Sequence, residues 1–583
     1  MKQRSVIFYL KKFLSFEIIC LLLVTAAVYS GTLDHSFHAD DRDNITNNSF
    51  IQISNLSVSE FKRAIKESVN DKRPVANISF ALNYYFDGLE VRGYHVVNII
   101  IHLLAGIMLY YFVKKTLSIP LVRDKLGEAG FIPFFTALIW MVHPLHTQSV
   151  TYIIQRMNSM AVMFFIMAML FYVKARLSPE RVKKVLFFAI SFFAGLLAVG
   201  TKQNTATLPL FILLYEWYFF QDLRLKFSRQ QLFWIVTIGC LFVFVLYLFL
   251  GSSPLNRLFP SYDGRPFSMA ERVLTQPRVV LHYISLIFYP EPGRLNLDYD
   301  FPLSYSLVSP ATTLIAILVI IGMVGLAIYS ARKNRLFSFC ILWFLGNLVI
   351  ESSTIPLEVI FEHRTYLPSM LMILLLVLFL HRFVNKRRVL IVSLVAVALL
   401  FSYWTYARNK VWQDELTLWA DTHKKSPNKA RVNSFYGGVL SGEGRVKEAI
   451  PILENALRFY EEEIKFQKSV ERRKIAMYQQ SLAVTYKRNG EFKKAIFYLN
   501  RALKEFSLSA TTHYHLGACY VKIWRFEEAI YHFTKALEFA KYHRTNVFVQ
   551  ENIMEIRQAL DKAKRMLKLQ KEREVLLKNK TKN

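Results

Sequence analysis

Up to about Tyr406 the apolar residues of the chain gather into runs close to the ~20 residues that a helix needs to cross a bilayer. These runs predict spans near 7–30, 94–113, 130–146, 156–173, 185–200, 204–220, 231–250, 308–329, 336–351, 366–384 and 389–406. A further apolar stretch, 276–289, is short and carries Pro277, Arg278 and His282. It reads as a re-entrant or interfacial helix, because backbone at membrane depth is tolerated where protein buries it. Beyond Tyr406 the pattern turns amphipathic and charged. The expected fold class is all-α: a polytopic membrane domain of about 11 spans over 1–406, a linker over 407–427, helical repeats over 428–544, and a capping helix with a basic tail over 545–583.

The repeats follow the tetratricopeptide pattern. The clearest copy runs Tyr514, Leu516, Gly517, Tyr520, then Phe526, Ala529, Phe533 and Ala536; before it come Leu482, Ala483, Tyr486, Gly490, Ala495, Leu499 and Ala502. Ala495 and Ala529 are 34 residues apart, the period of this repeat. A third copy (Tyr436, Gly437, Leu440, Ala449, Leu453, Ala456) lies 46 residues upstream, so the stretch Glu461–Lys474 must absorb about 12 extra residues. Stacked helix pairs of this kind make a concave surface suited to an extended peptide.

The composition agrees: 53% of the 583 residues are hydrophobic and 15% aromatic, too apolar for a soluble protein. The net charge of +30 does not point to nucleic acid, since much of the membrane domain's excess sits in short clusters between spans, such as Lys114-Lys115, Arg181/Lys183/Lys184 and Lys386-Arg387-Arg388. These are topology signals. The N-terminus, with Lys2, Arg4, Lys11 and Lys12, is a retained first span with a cytoplasmic start rather than a cleaved signal. Residues 31–93 then lie outside, the clusters at 114–125, 174–184, 222–229, 332–335 and 386–388 inside, and the repeats outside. Short loops and length favour a bacterial inner membrane with periplasmic repeats. Cys20, Cys240, Cys340 and Cys519 form neither a zinc spacing nor a disulfide framework.

With that orientation, several polar motifs share the outer face: Asp40-Asp41, His143-Pro-Leu-His146-Thr-Gln148, Arg156, Lys202 and Glu362-His363-Arg364. Ionisable groups at such depth are costly, so their convergence points to a polar cavity. In order along the chain, Asp40-Asp41, Asn83-Tyr-Tyr-Phe-Asp-Gly with Gly93-Tyr-His95-Val-Val-Asn98, "HPLHTQSVTYIIQR" (143–156), "GTKQNTATLP" (200–209) and "FEHRTYLP" (361–368), followed by the repeats, resemble the transmembrane and tetratricopeptide-repeat O-mannosyltransferases. Bacterial and archaeal chains of the same layout are similar too. The resemblance covers essentially the whole chain. It implies the C-type glycosyltransferase fold, a sugar (mannose in that family) taken from a polyprenyl-phosphate carrier, and an acidic residue of the first outer loop at the catalytic centre, matching Asp40 or Asp41. With only about three repeats, the acceptor protein is expected to differ from that of the animal enzymes.

The reaction needs a base near the acceptor hydroxyl, and an aspartate pair raises one of its own pKa values. A helix cap or Asx turn explains the same two residues. The lipid-phosphate leaving group needs cations, for which Arg156, Lys202 and Arg364 are candidates, with His363 as donor or acid. Snorkelling accounts equally for Arg156 and Lys202, and a pair with Glu362 or Glu358 for Arg364. His143, His146 and Gln148 suit phosphate or sugar hydroxyls, or an interhelical hydrogen bond. His95 and His102, seven apart, read as packing. No metal site is assigned; an Asp-Asp plus His set can take a divalent ion, but this spacing is not diagnostic. Two other readings stand beside the enzyme: a membrane-anchored repeat scaffold for envelope or secretion assembly without catalysis, and a transporter, which predicts charges nearer mid-bilayer.

Overall fold

The apolar runs fold as helices, and several stop short of the expected length where a polar motif unwinds them. The computed structural model describes residues 15–126, 130–224, 261–465, 472–540 and 553–580, and its regular elements are all helical, with no strand among the described residues. Contacts divide the chain into two units: Met1–Tyr262 with Phe267–Leu418, and Asp263–Pro266 with Trp419–Asn583. The basic N-terminus up to Lys12, the run 231–250, Cys240 and residues 545–552 of the expected cap lie outside the described residues.

The first unit contains α1 (Phe16–Tyr29), α2 (Pro74–Asp87), α3 (Val91–Leu117), α4 (Ile132–Met141), α5 (Arg156–Leu177), α6 (Arg181–Thr201), α7 (Leu208–Phe219), α8 (Met269–Phe288), α9 (Thr312–Ser330), α10 (Arg335–Leu348), α11 (Ser369–Phe383) and α12 (Arg387–Val411). Among the described residues 5 helices are long and apolar enough to cross a membrane: α3, α5 with the turn before it, α6, α9 and α12. Helices α1, α4, α10 and α11 are apolar but shorter. Of the eleven expected spans, five meet that standard among the described residues, which leave out 231–250 and the start of 7–30.

The shortening has local causes. Pro144 pushes His143 into extended backbone (φ −76°, ψ 126°), so α4 ends before the motif. Lys202 is extended as well (φ −155°, ψ 136°), so α6 covers its expected span and ends at Thr201, while a 3₁₀ turn, Gln203–Thr207, follows and delays the start of α7 from the expected 204 to Leu208. Helix α8 differs in the other direction. A capping box between Ser268 and Glu271 starts it at Met269, ahead of the expected Gln276, and Pro277 falls inside it.

Helix α5 packs along α3 and α6, and α10 runs between α9 and α11. Gly106 of α3 lets Met141 of α4 approach: a Cβ there would stand 2.3 Å from its sulfur. Outward, α6 and α9 present Val185, Phe192, Phe193, Ile315, Leu318 and Ile321. Only 17% of the apolar window of each is buried, a belt that hydrocarbon covers.

The two ends of the bundle differ in chemistry. At one, Arg176 pairs with Glu216 at 2.8 Å, Arg335 pairs with Asp222 and donates to the Tyr218 carbonyl at 3.1 Å, and Lys174 lies over the Phe171 ring and beside Tyr111. Away from it, Arg156 begins α5, Lys202 lies just past α6, Glu351 just past α10, and Arg364 in the 3₁₀ turn Glu362–Thr365 that precedes α11.

In the second unit the repeats are three helix pairs, Ala430–Gly442 with Val446–Ile464, Arg472–Arg488 with Phe492–Glu505, and Ala510–Lys522 with Phe526–Ala540. A helix Ile553–Lys580 buries Ile556, Leu560 and Ala563 against the last pair. Gly437 faces Leu453 and Gly517 faces Phe533, so closely that a Cβ would fall 2.6 and 2.7 Å from those side chains. The stretch expected as a linker is helical: α12 runs on to Val411, and Asp414, accepting from the Thr417 amide at 2.8 Å, starts a helix over Glu415–Lys425.

Candidate active site

After α1 and the turn Ser30–Thr32 the chain reverses at His38–Asp41. Ala39 sits at φ +38°, a conformation costly for a residue with a Cβ, and the bonds around it hold it there. The Asp41 amide donates to the His38 carbonyl at 2.8 Å, and the His38 amide donates to Asp41 Oδ2 at 2.9 Å. Asp41 Oδ1 accepts from the Ile154 amide at 2.7 Å, tying the loop to the start of α5. Asp41 is fully buried, and burial pushes its carboxyl up to about 8 although both amides and Arg156 pull the other way. Asp40 is exposed; its amide donates to the Tyr152 hydroxyl at 2.8 Å and its carbonyl accepts from Asn44 at 2.7 Å. Of the two candidates, the structure buries one and exposes the other.

Arg156 is a hub between helices. Its Nε donates to Asn98 at 2.7 Å, and Nη2 donates to Asn83 at 2.6 Å and to the Tyr94 carbonyl at 3.0 Å. Nη1 reaches Ser79, and the guanidinium lies over the rings of Phe80 and Tyr94. The Asn83 and Asn98 of the sequence motifs are thereby explained as its ligands. The side chain is wholly buried, with every nitrogen bonded inside the protein, so it offers no face to a phosphate.

Lys202, His363 and Arg364 do come together, on the other flank of the same helix start. Lys202 Nζ donates to Asn158 Oδ1 at 2.9 Å and lies 3.3 Å from Glu351 Oε1. Arg364 Nε is 3.9 Å from Glu351 Oε2, and its terminal nitrogens donate to the carbonyls of Val359 and Glu358. The His363 carbonyl accepts from Asn158 at 2.8 Å, and its amide donates to Gln148 at 2.8 Å. Burial draws the Lys202 ammonium down to about 8, with Glu351 opposing. Burial, and after it the neighbouring cations Lys202, Arg364 and Arg73, hold the His363 imidazole well below the usual histidine range. Sequence reasoning missed four residues of this cluster: Arg73, Asn158, Asn204 and Glu351. Arg73 just precedes Pro74 at the head of α2, donates to the Met157 sulfur at 2.9 Å and senses the Glu351 charge. A lone carboxylate at the end of an apolar run, Glu351, was the available signal.

The acidic loop and the cation cluster are also joined through residues 70–73. Asn70 donates to Asn44, and the Arg73 amide donates to the Asn70 carbonyl at 3.0 Å. The remaining candidates point elsewhere. His143 bonds the Ile287 carbonyl at 2.9 Å, and His146 lies among Trp140, Tyr366 and His102. Glu362 accepts from the Asn296 amide at 2.5 Å and the Tyr299 hydroxyl at 2.7 Å, away from Lys202. His102 bonds Tyr366 at 2.6 Å and the Met141 carbonyl at 2.9 Å; His95 bonds the His35 carbonyl at 3.1 Å. Among the described residues no group of three or more His, Cys, Asp and Glu is placed to hold a metal ion.

Residues 443–536 match a family model described as anaphase-promoting complex, cyclosome, subunit 3. Over a longer stretch the chain is similar to proteins named protein O-mannosyl-transferases. It is 25% identical over 472 residues to F38B6.6 of Caenorhabditis elegans, covering 75% of this chain and 62% of the relative. It is 26% identical over 446 residues to TMTC1 of Homo sapiens (67% and 48% covered) and 24% identical over 485 residues to TMTC3 of Mus musculus (74% and 50% covered). The chain thus spans about half the length of the curated relatives it matches.

Proposed function

We propose that the chain is an integral-membrane glycosyltransferase of the C-type fold. It moves a sugar, mannose by analogy with its relatives' names, from a polyprenyl-phosphate carrier to a hydroxyl of a protein held by the repeats, on the outer face of a bacterial inner membrane. The observation that carries this reading is the arrangement around the start of α5, with an exposed carboxylate on one flank and buried cations on the other. Asp40 is the base. The acceptor oxygen bonds the anomeric carbon, its proton passes to Asp40, and the anomeric C–O bond breaks with its electron pair left on the phosphate. Lys202, Arg364 and Arg73 meet the charge that grows on that phosphate. Asp41, with both oxygens on backbone amides, positions the loop.

The test is transfer of labelled mannose from polyprenyl-phosphate mannose to a protein acceptor by the purified full chain. Asp40→Asn is expected to lower the rate by about 10²–10⁴-fold, the range for loss of a positioned base. Full activity of D40N removes Asp40 from the chemistry. If D40N, Lys202→Met and Arg364→Met all restore a deletion strain as well as the native chain does, the scaffold reading replaces the enzyme.

A further inference from the structure

The groups around Lys202 contain more than a seat for an anion. Three cations, Arg73, Lys202 and Arg364, surround one carboxylate, Glu351. A fourth, Arg272, stands behind them and is spent on backbone: it donates to the carbonyls of Glu351 at 2.6 Å, Leu357 at 2.8 Å, and Ser353. An anion alone would be better served without Glu351.

The unused valences are acceptors. Glu351 is 6% exposed, and its Oε2, 3.9 Å from Arg364 Nε, makes no hydrogen bond. Asn204 donates its amide to Asn158 and Glu351 Oε1, both at 3.4 Å, and leaves its own Oδ1 buried without a donor. Buried acceptors left open call for donors that are not part of the protein. Arg73, Gln203 and Asn204 are half-buried, so the cluster reaches the surface on that side. A ligand that satisfies all of these groups has one anionic end and, next to it, hydroxyl groups that donate. A sugar phosphate has both.

We infer that Glu351 and Asn204 bind hydroxyls of the transferred sugar, beside the cations that hold the lipid phosphate, and so set which glycosyl group is accepted. This rests on the transferase reading above. Glu351 has opposite effects on the two parts of the ligand: its oxygens accept from the sugar, while its charge weakens the hold of the cations on the phosphate.

That opposition makes the test specific. Binding of polyprenyl-phosphate mannose and of bare polyprenyl phosphate is measured on the full chain in detergent, for the native protein, Glu351→Gln and Asn204→Leu. Glu351→Gln is expected to weaken the mannosylated lipid about tenfold, as for a hydrogen bond between a charged group and a hydroxyl. The same variant tightens the bare lipid phosphate, because one opposing charge is gone. Asn204→Leu weakens only the mannosylated lipid. Glu351→Gln shifting both lipids in the same direction overturns the inference and leaves the transferase reading intact, as does Asn204→Leu weakening both equally. Native protein that binds neither lipid overturns the transferase reading, and the inference with it.

Discussion

Asp41 carries a consequence at the scale of one residue. Its carboxyl titrates in the fold at about 8, against about 4 in an unfolded chain. Between those values the unfolded chain releases a proton that the native protein keeps. Asp41 therefore stabilises the fold fully below about pH 4, and that contribution is lost as pH rises through about 8. Asp41→Asn has no such proton, so its Tm in detergent is expected to change less than the native Tm across that window. A native Tm that rises relative to D41N over the same range overturns this account of Asp41. The pair Asp40-Asp41 stood out in the sequence, but which of the two is buried did not, because that depends on a backbone amide 113 residues away. The surroundings of Arg156 were hidden for the same reason. As a cation near a membrane boundary it reads equally as a phosphate ligand or a snorkelling side chain, yet its acceptors come from Ser79, Asn83, Tyr94 and Asn98.

Among the elements, the irregular turns between helices matter more than the helices. Apolar periodicity placed the helices well, since a run of Leu, Ile and Phe has one outcome at membrane depth. It could not say that α4 and α10 stop early or that α7 starts late, because these limits depend on Pro144, on Lys202 and on the bonds that hold the turns. The segment 351–357 illustrates this. It has no helix of its own, and Arg272 of α8 holds it through three carbonyls. Arg272→Gln removes charge-assisted bonds together worth about 3 kcal/mol. Amide hydrogen exchange over 351–357 is then expected to speed up about a hundredfold, with α3 and α5 unchanged. Exchange unchanged in 351–357 would mean that the segment is held by its own turns and not by α8.

At the scale of the molecule, the charge map makes a claim about sidedness that the positions of the polar motifs allow to be tested. Positive clusters at alternate helix ends predict one cytoplasmic side. In the first unit, basic residues of two of these clusters, 174–184 and 332–335, lie at helix ends among Tyr111, Glu216, Tyr218 and Asp222: Lys174 beside Tyr111, Arg176 with Glu216, and Arg335 with Asp222 and Tyr218. Arg156 begins the helix whose far end carries Lys174 and Arg176, and Lys202 lies beside that start, so the proposed function expects substrate to arrive from the side away from those basic residues. Sidedness follows from this and can be measured. Asn55 and Arg332 are both exposed, one in the loop that follows Asp40 and the other in a basic cluster. In a background cleared of native cysteines, Asn55→Cys is expected to react with a membrane-impermeant maleimide added to spheroplasts, whereas Arg332→Cys reacts only after the membrane is opened. The reverse pattern would put the acidic loop in the cytoplasm, where an outward-facing lipid-phosphate donor cannot reach it, and would exclude transfer on the outer face. Equal labelling of both sites in sealed spheroplasts would break the assumption that the basic and motif ends lie on opposite sides of one membrane.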